Sequence, residues 1–382
     1  MAKKNNGCVC KAAQMGANVK NICFFSGDIT RCGGTERVAV QIASALADMD
    51  EKYEITIISL MEAAESPFFD IPCNIHRHVL LPKPISPINR AILHFFPVLY
   101  RLIGFIRHNK IDIIIDVDGV LDVFSLPAKI FTKVKVISWE HFNFYADLGN
   151  KYRSYIKRLS ARFADYIIVL TEEDKGYHEK ELNLKCPIEF IYNPLHMGCE
   201  VSYNTDSRKI ISVGRLNTQK GFDILIDAAR IVFAKHKDWS WMIVGEGEEK
   251  EFLENKVKEY NLDKHIFFKG NTKNIEDYYK DAAIFVLTSR FEGFGLVITE
   301  AKLYRLPVVS FECKAGPKEL IRNQHNGFLI PCFDIEMMAN KINLLIENDQ
   351  LRVRFSDNAY DDTAKFDYPA VLQKWEKIFH SL

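Results

Sequence analysis

The sequence lacks an excess of charge of either sign. Lysine plus arginine and aspartate plus glutamate each number 50 in 382 residues, so the formal net charge is zero. A general nucleic-acid-binding domain normally carries a marked basic excess, so that class is excluded. Hydrophobic residues make up 48% of the chain and charged residues 26%, with no low-complexity segment or short repeat. Disordered and fibrous classes are therefore excluded as well.

The sequence also lacks a paired-cysteine motif and an export signal. Its nine cysteines are scattered, with no C-x-x-C pair, as in a cytoplasmic protein with reduced thiols. Lys3 and Lys4 resemble the start of a signal peptide, but no apolar segment follows between residues 5 and 20. We expect residues 1–18 to form a disordered tail, unless Met15 is the true start.

Short apolar runs alternate with helical patterns along the rest of the chain. The runs are rich in Ile, Val and Phe, as in strands buried on both faces of a parallel sheet. Two successive series predict an α/β protein with two doubly wound, Rossmann-like domains. We place these domains at 19–197 and 205–365, followed by a helix at 366–382 that either packs locally or crosses back to the first domain. Strands are predicted at 21–25, 54–60, 111–117, 134–138, 166–170, 188–192, 209–213, 240–244, 265–268, 283–287 and 307–310.

Two strand-to-helix loops carry glycines that suit a phosphate ligand. The first has Gly33 and Gly34 before a helix, whose N-terminus favours an anion. It is not a G-x-G-x-x-G loop, so the dinucleotide fingerprint is absent, and a plain tight turn is the alternative. The second places Arg215 and Lys220 at the carboxyl end of a strand, where open α/β sheets bind ligands. Two cations there could neutralise a diphosphate, and a solvated loop is the alternative.

The most specific motif is a pair of carboxylates eight residues apart. Glu292 and Glu300 follow an apolar strand, with Gly293 and Gly295 between them. A carboxylate can accept hydrogen bonds from two sugar hydroxyls, and the glycine turn can offer free backbone amides. The alternative interpretation is an ordinary helix N-terminus that carries acidic residues.

Together the motifs resemble those of glycosyltransferase family 4, from about residue 20 to the C-terminus. Their order and spacing carry the resemblance more than any one of them does. The resemblance implies the GT-B fold, in which two Rossmann-like domains face each other across a cleft, and a retaining, nucleotide-sugar-dependent reaction. It rests on Gly33–Arg37, Trp139–His141, Val213–Arg215 with Lys220 and Gly221, Val244–Gly247, and Glu292–Glu300.

The same resemblance implies a role for individual residues, with no metal or other cofactor required. Arg215 and Lys220 would hold the donor diphosphate and stabilise the leaving nucleotide. His141 would lie near the reacting sugar, Glu292 would bind the transferred sugar, and Glu300 would bind the ribose hydroxyls. The other implied donor-site residues are Gly33 and Gly34 at the diphosphate, Asn271 and Thr272 at the base, and Phe294, Gly295 and Leu296 with their amides at the sugar and phosphate.

Asp116 and Asp118 form a D-x-D sequence, which holds a divalent metal in the other glycosyltransferase fold. Here the motif ends a strand of the first half, before the donor-binding motifs of the second half, and the chain has two predicted sheets rather than one. We therefore expect no metal site, and expect these aspartates to line the acceptor side of the cleft.

Residues 90–162 hold 12 Lys and Arg against 6 Asp and Glu, an excess of six positive charges in a neutral chain. Within this stretch, 88–108 is an aromatic helix candidate with Arg90, Arg101 and Arg107, too short to span a bilayer. One alternative is a basic amphipathic helix on an anionic membrane surface. The other is a helix packed on the first sheet with a solvated basic face. The membrane alternative would also use Lys151, Arg153, Lys157, Arg158 and Arg162.

The sequence thus predicts a retaining hexosyltransferase that uses a nucleotide diphosphate sugar, with UDP as the expected nucleotide. The expected acceptor is a lipid-linked saccharide of surface polysaccharide biosynthesis, reached by a cytoplasmic protein on the inner face of the cytoplasmic membrane. Alternatives are a soluble sugar or protein acceptor, a nucleotide-sugar epimerase, and a non-catalytic binding module. The joint presence of phosphate-binding cations and sugar-binding carboxylates disfavours the last of these.

Overall fold

The computed structural model of the protein describes residues 19–49, 52–82, 94–146, 151–195, 201–272 and 274–382. Two parallel β-sheets flanked by helices confirm the predicted α/β class. The 1–18 tail and residues 88–93 of the helix candidate lie outside the described residues. The strands are β1 (Lys20–Ser26), β2 (Tyr53–Ser59), β3 (His76–Val79), β4 (Ile113–Val117), β5 (Lys135–Trp139), β6 (Tyr166–Val169), β7 (Ile188–Phe190), β8 (Lys209–Val213), β9 (Ser240–Val244), β10 (Ile266–Phe268), β11 (Ile284–Leu287), β12 (Val308–Phe311) and β13 (Gly327–Ile330). The helices are α1 (Gly34–Ala47), α2 (Phe95–His108), α3 (Asp122–Thr132), α4 (Lys151–Phe163), α5 (Glu172–Glu181), α6 (Phe222–Lys235), α7 (Lys250–Glu259), α8 (Ile275–Lys280), α9 (Leu296–Leu303), α10 (Pro317–Leu320), α11 (Ile335–Glu347), α12 (Asp349–Asp357) and α13 (Tyr368–Ser381).

Both sheets are doubly wound. The first has the strand order β3-β2-β1-β4-β5-β6-β7, and the second has the order β10-β9-β8-β11-β12-β13. The order reverses between β1 and β4 in the first sheet and between β8 and β11 in the second. Ligands of such sheets bind at the carboxyl ends of the strands beside the reversal. The predicted motifs follow β1, β5, β8 and β11, so the topology carries them to these edges.

The central strands are buried on both faces, which explains why they read as continuous apolar runs. All five residues of β4 are buried, as are Phe24 and Phe25 of β1. Two edge strands, β3 and β13, are absent from the sequence prediction. Three of the four residues of β3 are exposed and polar, while β13 has only four residues and begins with glycine. An edge strand needs only one apolar face, so it leaves a weak signal.

The last helix, α13, packs against the first sheet. Trp375 is fully buried there, and its ring centroid lies 6.5 Å from that of Phe24 and 5.0 Å from that of Trp139. An ion pair of 3.0 Å between Lys52 and Glu376 adds to the contact. The chain therefore ends on the first sheet after it has completed the second.

Helix α2 has two different faces. One face, with Val98, Leu102 and Ile106, is buried against the first sheet. The helix therefore packs on this sheet, as the second of the two predicted alternatives requires. On the opposite face Phe96 and Tyr100 are 79% and 80% exposed. Across the described ranges, no helix is both long enough and apolar enough to cross a membrane.

Candidate functional site

The loops at the carboxyl ends of the two sheets meet at two glycines. Gly293, after β11, lies so close to the carbonyl of His141 that a Cβ atom would overlap it. Gly34, at the start of α1, faces Leu296 at the start of α9, where a Cβ would lie only 3.0 Å from the leucine methyl. A side chain at Gly293 would push the two backbones apart, whereas one at Gly34 would require the leucine methyl to move. The missing side chains therefore allow the motifs of both halves to form one cleft.

Lys220 and Glu292 form an ion pair inside this cleft. Lys220 Nζ lies 2.7 Å from Glu292 Oε1, and the Ser289 hydroxyl donates to the same oxygen at 2.6 Å. Glu292 is buried, whereas Lys220 keeps a small exposed fraction. The Thr288 hydroxyl donates to the carbonyl of Gly221 at 2.9 Å, which ties the loop after β8 to the loop after β11. The cation and the carboxylate of the sequence motifs are thus neighbours before any ligand binds.

Glu300 is held by two residues that the sequence analysis does not assign to the site. Arg37, from α1 of the first half, forms an ion pair with Glu300 Oε1. The buried Tyr279, from α8, donates its hydroxyl to Glu300 Oε2 at 2.8 Å. The ion pair raises the pKa of Arg37, and burial raises the pKa of Tyr279, so the arginine is charged and the phenol protonated.

Arg215 lies apart from the Lys220–Glu292 pair. Its guanidinium is 3.1 Å from Glu248 Oε2, and both side chains are exposed. Asn271 lies near the first glycine loop, where its amide is 3.9 Å from the sulfur of Cys32, and Thr272 accepts the backbone N–H of Asn274 at 3.0 Å. The structure therefore places Asn271 beside the first glycine loop, whereas Arg215 is turned towards solvent.

The turn before α9 leaves backbone amides available. Gly295 has φ +95°, a left-handed conformation that favours glycine, and no side chain caps the helix behind it. The Phe294 side chain turns away into the core, with its ring centroid 5.9 Å from that of Tyr192. Helix α1 also has a glycine, Gly33, at its N-cap, but there the buried Glu36 carboxylate lies against the glycine and accepts a hydrogen bond from its own backbone N–H. The first amides of α9 can therefore donate to an anion from outside the chain.

His141 is a buried, neutral histidine. Burial lowers its pKa to about 4, against a weaker opposing effect of Asp118. Its ring centroid lies 4.3 Å from that of Trp139, and its Nε2 has no hydrogen-bond partner among the described residues. The imidazole is thus uncharged near neutral pH and can exchange a hydrogen bond with a ligand.

The D-x-D residues do not act together, and the expectation that both line the cleft is wrong. Asp116 is fully buried and accepts a hydrogen bond of 2.6 Å from Ser125, and burial raises its pKa to about 6. Asp118 makes a two-pronged ion pair with Arg153, at 3.0 and 2.7 Å. Strand β4 ends at Val117, and Asp118 follows it with φ +94°, so the chain leaves the strand geometry between the two carboxylates.

Three residues make contacts that the sequence analysis does not predict, namely Arg37, Tyr279 and Arg153. Arg37 belongs to the Gly33–Arg37 motif, so a signal for it exists, although nothing in the spacing names its partner. Tyr279 and Arg153 lie on helices far along the chain from the carboxylates they contact. Only the three-dimensional arrangement identifies these two.

Two family models match the chain almost end to end. "Glycosyltransferase Family 4" matches residues 32–197, and "Glycosyl transferases group 1" matches residues 200–362. The chain belongs to glycosyltransferase family 4. Its relatives include bacterial glycosyltransferases, one of them named for amylovoran biosynthesis.

Three relatives align over nearly their whole length. An uncharacterised glycosyltransferase of Haemophilus influenzae is 31% identical, covering 94% of this chain and 100% of the relative. The amylovoran biosynthesis glycosyltransferase AmsD of Erwinia amylovora is 30% identical, covering 92% and 97%. A Campylobacter jejuni α-1,4-N-acetyl-D-galactosaminyltransferase, named for an undecaprenol-linked saccharide, is 27% identical, covering 91% and 94%.

A solved structure gives the same fold. A variant of Staphylococcus aureus TarM, in complex with fondaparinux, α-GlcNAc-glycerol and UDP, superimposes with a TM-score of 0.67 and 27% identity. The match covers 74% of this family 4 chain and 59% of the longer TarM chain. Together with the two facing parallel sheets, it confirms the expected GT-B fold.

The neutral state of His141 predicts a pH-dependent stability. The unfolded chain, with an ordinary histidine pKa near 6.5, binds a proton between pH 6.5 and 4 while the folded chain does not. Stability from this group is therefore complete above pH 6.5 and is lost as the pH falls. Relative to His141→Gln, we expect the wild type to lose about 2 kcal/mol of unfolding free energy between pH 7 and pH 5.

Urea unfolding at both pH values measures this difference. His108→Gln, at an exposed position, is the matched control and should follow the wild type. Parallel pH dependences for the wild type and His141→Gln would show that the imidazole is not held in the neutral form.

Proposed function

We propose that the protein is a retaining, metal-independent glycosyltransferase that moves a hexose or N-acetylhexosamine from a UDP-sugar to a lipid-linked saccharide. The observation that carries the proposal is the close contact of Gly293 with the His141 carbonyl. This contact brings the backbone of His141, in the first half, against the loop that holds Glu292 in the second. A donor sugar bound by Glu292 would therefore face the histidine and the acceptor side.

The donor diphosphate would bind between the two halves. Lys220 supplies a cation at the carboxyl end of β8, and the N-termini of α1 and α9 approach each other through Gly34 and Leu296. Amides at helix N-termini and a lysine are common ligands of phosphate. Arg215 is exposed and would have to leave Glu248 to reach the same ligand. The UDP in the TarM complex supports a uridine nucleotide.

Transfer with retention in a single step requires the acceptor to attack from the same face from which the leaving group departs. The bond between the anomeric carbon and the diphosphate oxygen breaks, and the acceptor oxygen bonds to the same carbon. The acceptor proton passes to the leaving phosphate, whose developing charge Lys220 stabilises. The neutral His141, with its free Nε2, would orient a sugar hydroxyl by a hydrogen bond.

Metal independence is supported by the D-x-D residues themselves. Asp116 is buried against Ser125, and both oxygens of Asp118 are occupied by Arg153. These carboxylates would have to break both arrangements to hold a divalent ion. Among the residues that the structure describes, no group of three or more His, Cys, Asp or Glu is arranged to hold a metal.

An apolar and basic patch supports a membrane-bound acceptor. We define the patch as the exposed apolar residues of α2, α3 and α4, namely Phe96, Tyr100, Ile130, Phe131 and Phe163, with the cations beside them. Arg107 donates to the Phe131 carbonyl at 2.9 Å, and Arg162 lies 5.6 Å from the Phe163 ring centroid. Exposed aromatics flanked by cations suit the surface of an anionic bilayer. The undecaprenol-linked saccharide in the name of the Campylobacter relative points the same way.

Some cations expected for this surface have other roles. Lys157 is buried and donates to the Phe144 carbonyl at 2.6 Å, and Arg153 binds Asp118. Arg101 donates to the Leu80 carbonyl at 2.7 Å. The proposed contact with the inner face of the cytoplasmic membrane therefore depends on the patch rather than on the whole basic stretch. A soluble acceptor is the second candidate.

Exchange of the two motif carboxylates should separate catalysis from binding. Glu292→Gln should lower kcat by about 100-fold or more while the UDP affinity stays within about threefold, because Glu292 would act on the sugar. Glu300→Gln should instead weaken UDP binding by about tenfold, because one charged hydrogen-bond acceptor of the ribose is lost. Isothermal calorimetry and steady-state kinetics measure both, with the exposed Glu259→Gln as control. Near-normal activity in both variants would show that the site is assigned wrongly.

The patch predicts binding to anionic vesicles. The double variant Ile130→Ser, Phe131→Ser should lower sedimentation with phosphatidylethanolamine–phosphatidylglycerol vesicles by about tenfold, because both apolar side chains are removed from the contact. Its UDP affinity should not change. Phe252→Ser, at an exposed aromatic of α7, is the matched control. If the wild type does not sediment with these vesicles at low salt, the membrane-bound acceptor is wrong and the soluble one is favoured.

Removal of divalent ions should leave the reaction nearly intact. The cation that stabilises the leaving diphosphate is Lys220, which a chelator does not remove. We expect the rate of sugar transfer with excess EDTA to stay within about twofold of the untreated rate. Loss of a metal that stabilised the charge on the leaving group would lower the rate far more. A complete loss that manganese restores would instead support a metal held at Asp118.

A further inference from the structure

We infer that Arg37 is a positioning residue for donor specificity, because with Tyr279 it orients Glu300 towards the ribose hydroxyls of the nucleotide. The inference rests on the proposed function, in which Glu300 binds the ribose. It gives Arg37 of the Gly33–Arg37 motif a role, adds Tyr279 from outside the motifs, and makes recognition of the ribose depend on contact between the two halves of the protein.

The contacts on Glu300 come from two directions. Arg37 approaches Oε1 from α1 of the first half, and Tyr279 donates to Oε2 at 2.8 Å from α8 of the second half. Glu300 is only 15% exposed, and Tyr279 is fully buried beneath Tyr304, with ring centroids 5.2 Å apart and planes nearly parallel. A carboxylate with one donor on each oxygen cannot rotate freely. Its orientation is therefore set before the ligand arrives.

Two acceptor positions remain for a ligand. An ionised carboxylate offers about four lone-pair positions, and Arg37 and Tyr279 occupy one on each oxygen. The remaining positions can accept two hydroxyl groups on neighbouring carbons, as a ribose presents them. Without Arg37, the Glu300 side chain would be a partly buried charge with a single fixed donor, and it would lose this alignment if it turned towards water.

The position of Arg37 links this alignment to the closed cleft. Gly34 faces Leu296, and one turn further along both helices Arg37 faces Glu300. The two contacts therefore lie on the same pair of helix faces, one from each half. When the halves separate, Glu300 would lose Arg37 while keeping Tyr279. Recognition of the ribose would then be complete only in the closed form.

The test compares UDP with 2′,3′-dideoxyuridine diphosphate, which lacks both ribose hydroxyls. For the wild type we expect UDP to bind about 100-fold more tightly, since two hydrogen bonds to a charged group are each worth about tenfold. In Arg37→Gln this ratio should fall to about tenfold or less, mainly through weaker UDP binding. Arg37→Lys should recover part of the ratio. The donor KM should rise in Arg37→Gln while kcat stays within about twofold, as for loss of uniform binding.

Two further variants serve as controls. Tyr279→Phe removes one donor to Glu300 and should lower the ratio of the two nucleotide affinities less than Arg37→Gln does. If Arg37→Gln does not fold, Tyr279→Phe takes its place in the test. Arg208→Gln breaks the exposed ion pair with Asp238, far from the cleft at the start of β8, and should leave the ratio unchanged.

Two results would overturn the inference. Equal weakening of both nucleotides in Arg37→Gln, with an unchanged ratio, would mean that Arg37 only stabilises the closed cleft. A wild-type ratio near one would mean that Glu300 does not bind the ribose, although UDP binding itself would still support the proposed donor. A wild type that binds neither nucleotide would show that the donor class is wrong.

Discussion

The cleft depends on the close approach of two backbones, at Gly293 and His141. No side chain fits between the glycine and the histidine carbonyl, so the two sheets meet here through main-chain atoms. Backbone contact leaves less freedom than contact between long side chains, because neither partner can change rotamer. The relative position of Glu292 and the imidazole is therefore set by the packing of the two halves rather than by local side-chain choices.

The charged groups around this contact are already neutralised in pairs. A buried or sheltered charge costs free energy unless it has a partner, so each motif residue needs a counter-charge in the absence of substrate. A negatively charged donor would have to compete with Glu292 for Lys220. This competition favours a ligand whose own hydroxyl groups donate hydrogen bonds to the carboxylate, as those of a sugar do. The pairs are Lys220 with Glu292, Arg37 with Glu300, and Asp118 with Arg153.

Sequence reasoning reaches the parts of the molecule that follow periodicity or motif spacing. The inner strands are predictable because burial on both faces demands unbroken apolar runs, and Glu292 and Lys220 are predictable because they belong to motifs at strand ends. The sequence does not predict edge strands such as β3, nor the partners that Asp118 and Glu300 contact. Both depend on which distant segments pack together. The D-x-D sequence shows the same limit, because its spacing does not reveal that the strand ends between the two carboxylates and that Asp118 turns away with φ +94°.

Helix α13 packs against the first sheet close to His141. Trp139 lies between Trp375 of this helix and the ring of His141, with centroid distances of 5.0 and 4.3 Å. The chain thus folds its last helix against the aromatic residue that supports the imidazole. Burial of Trp375 would stabilise the first half together with the second, because the helix follows the second sheet in sequence. The imidazole of His141 and the last helix consequently share one apolar support, the ring of Trp139.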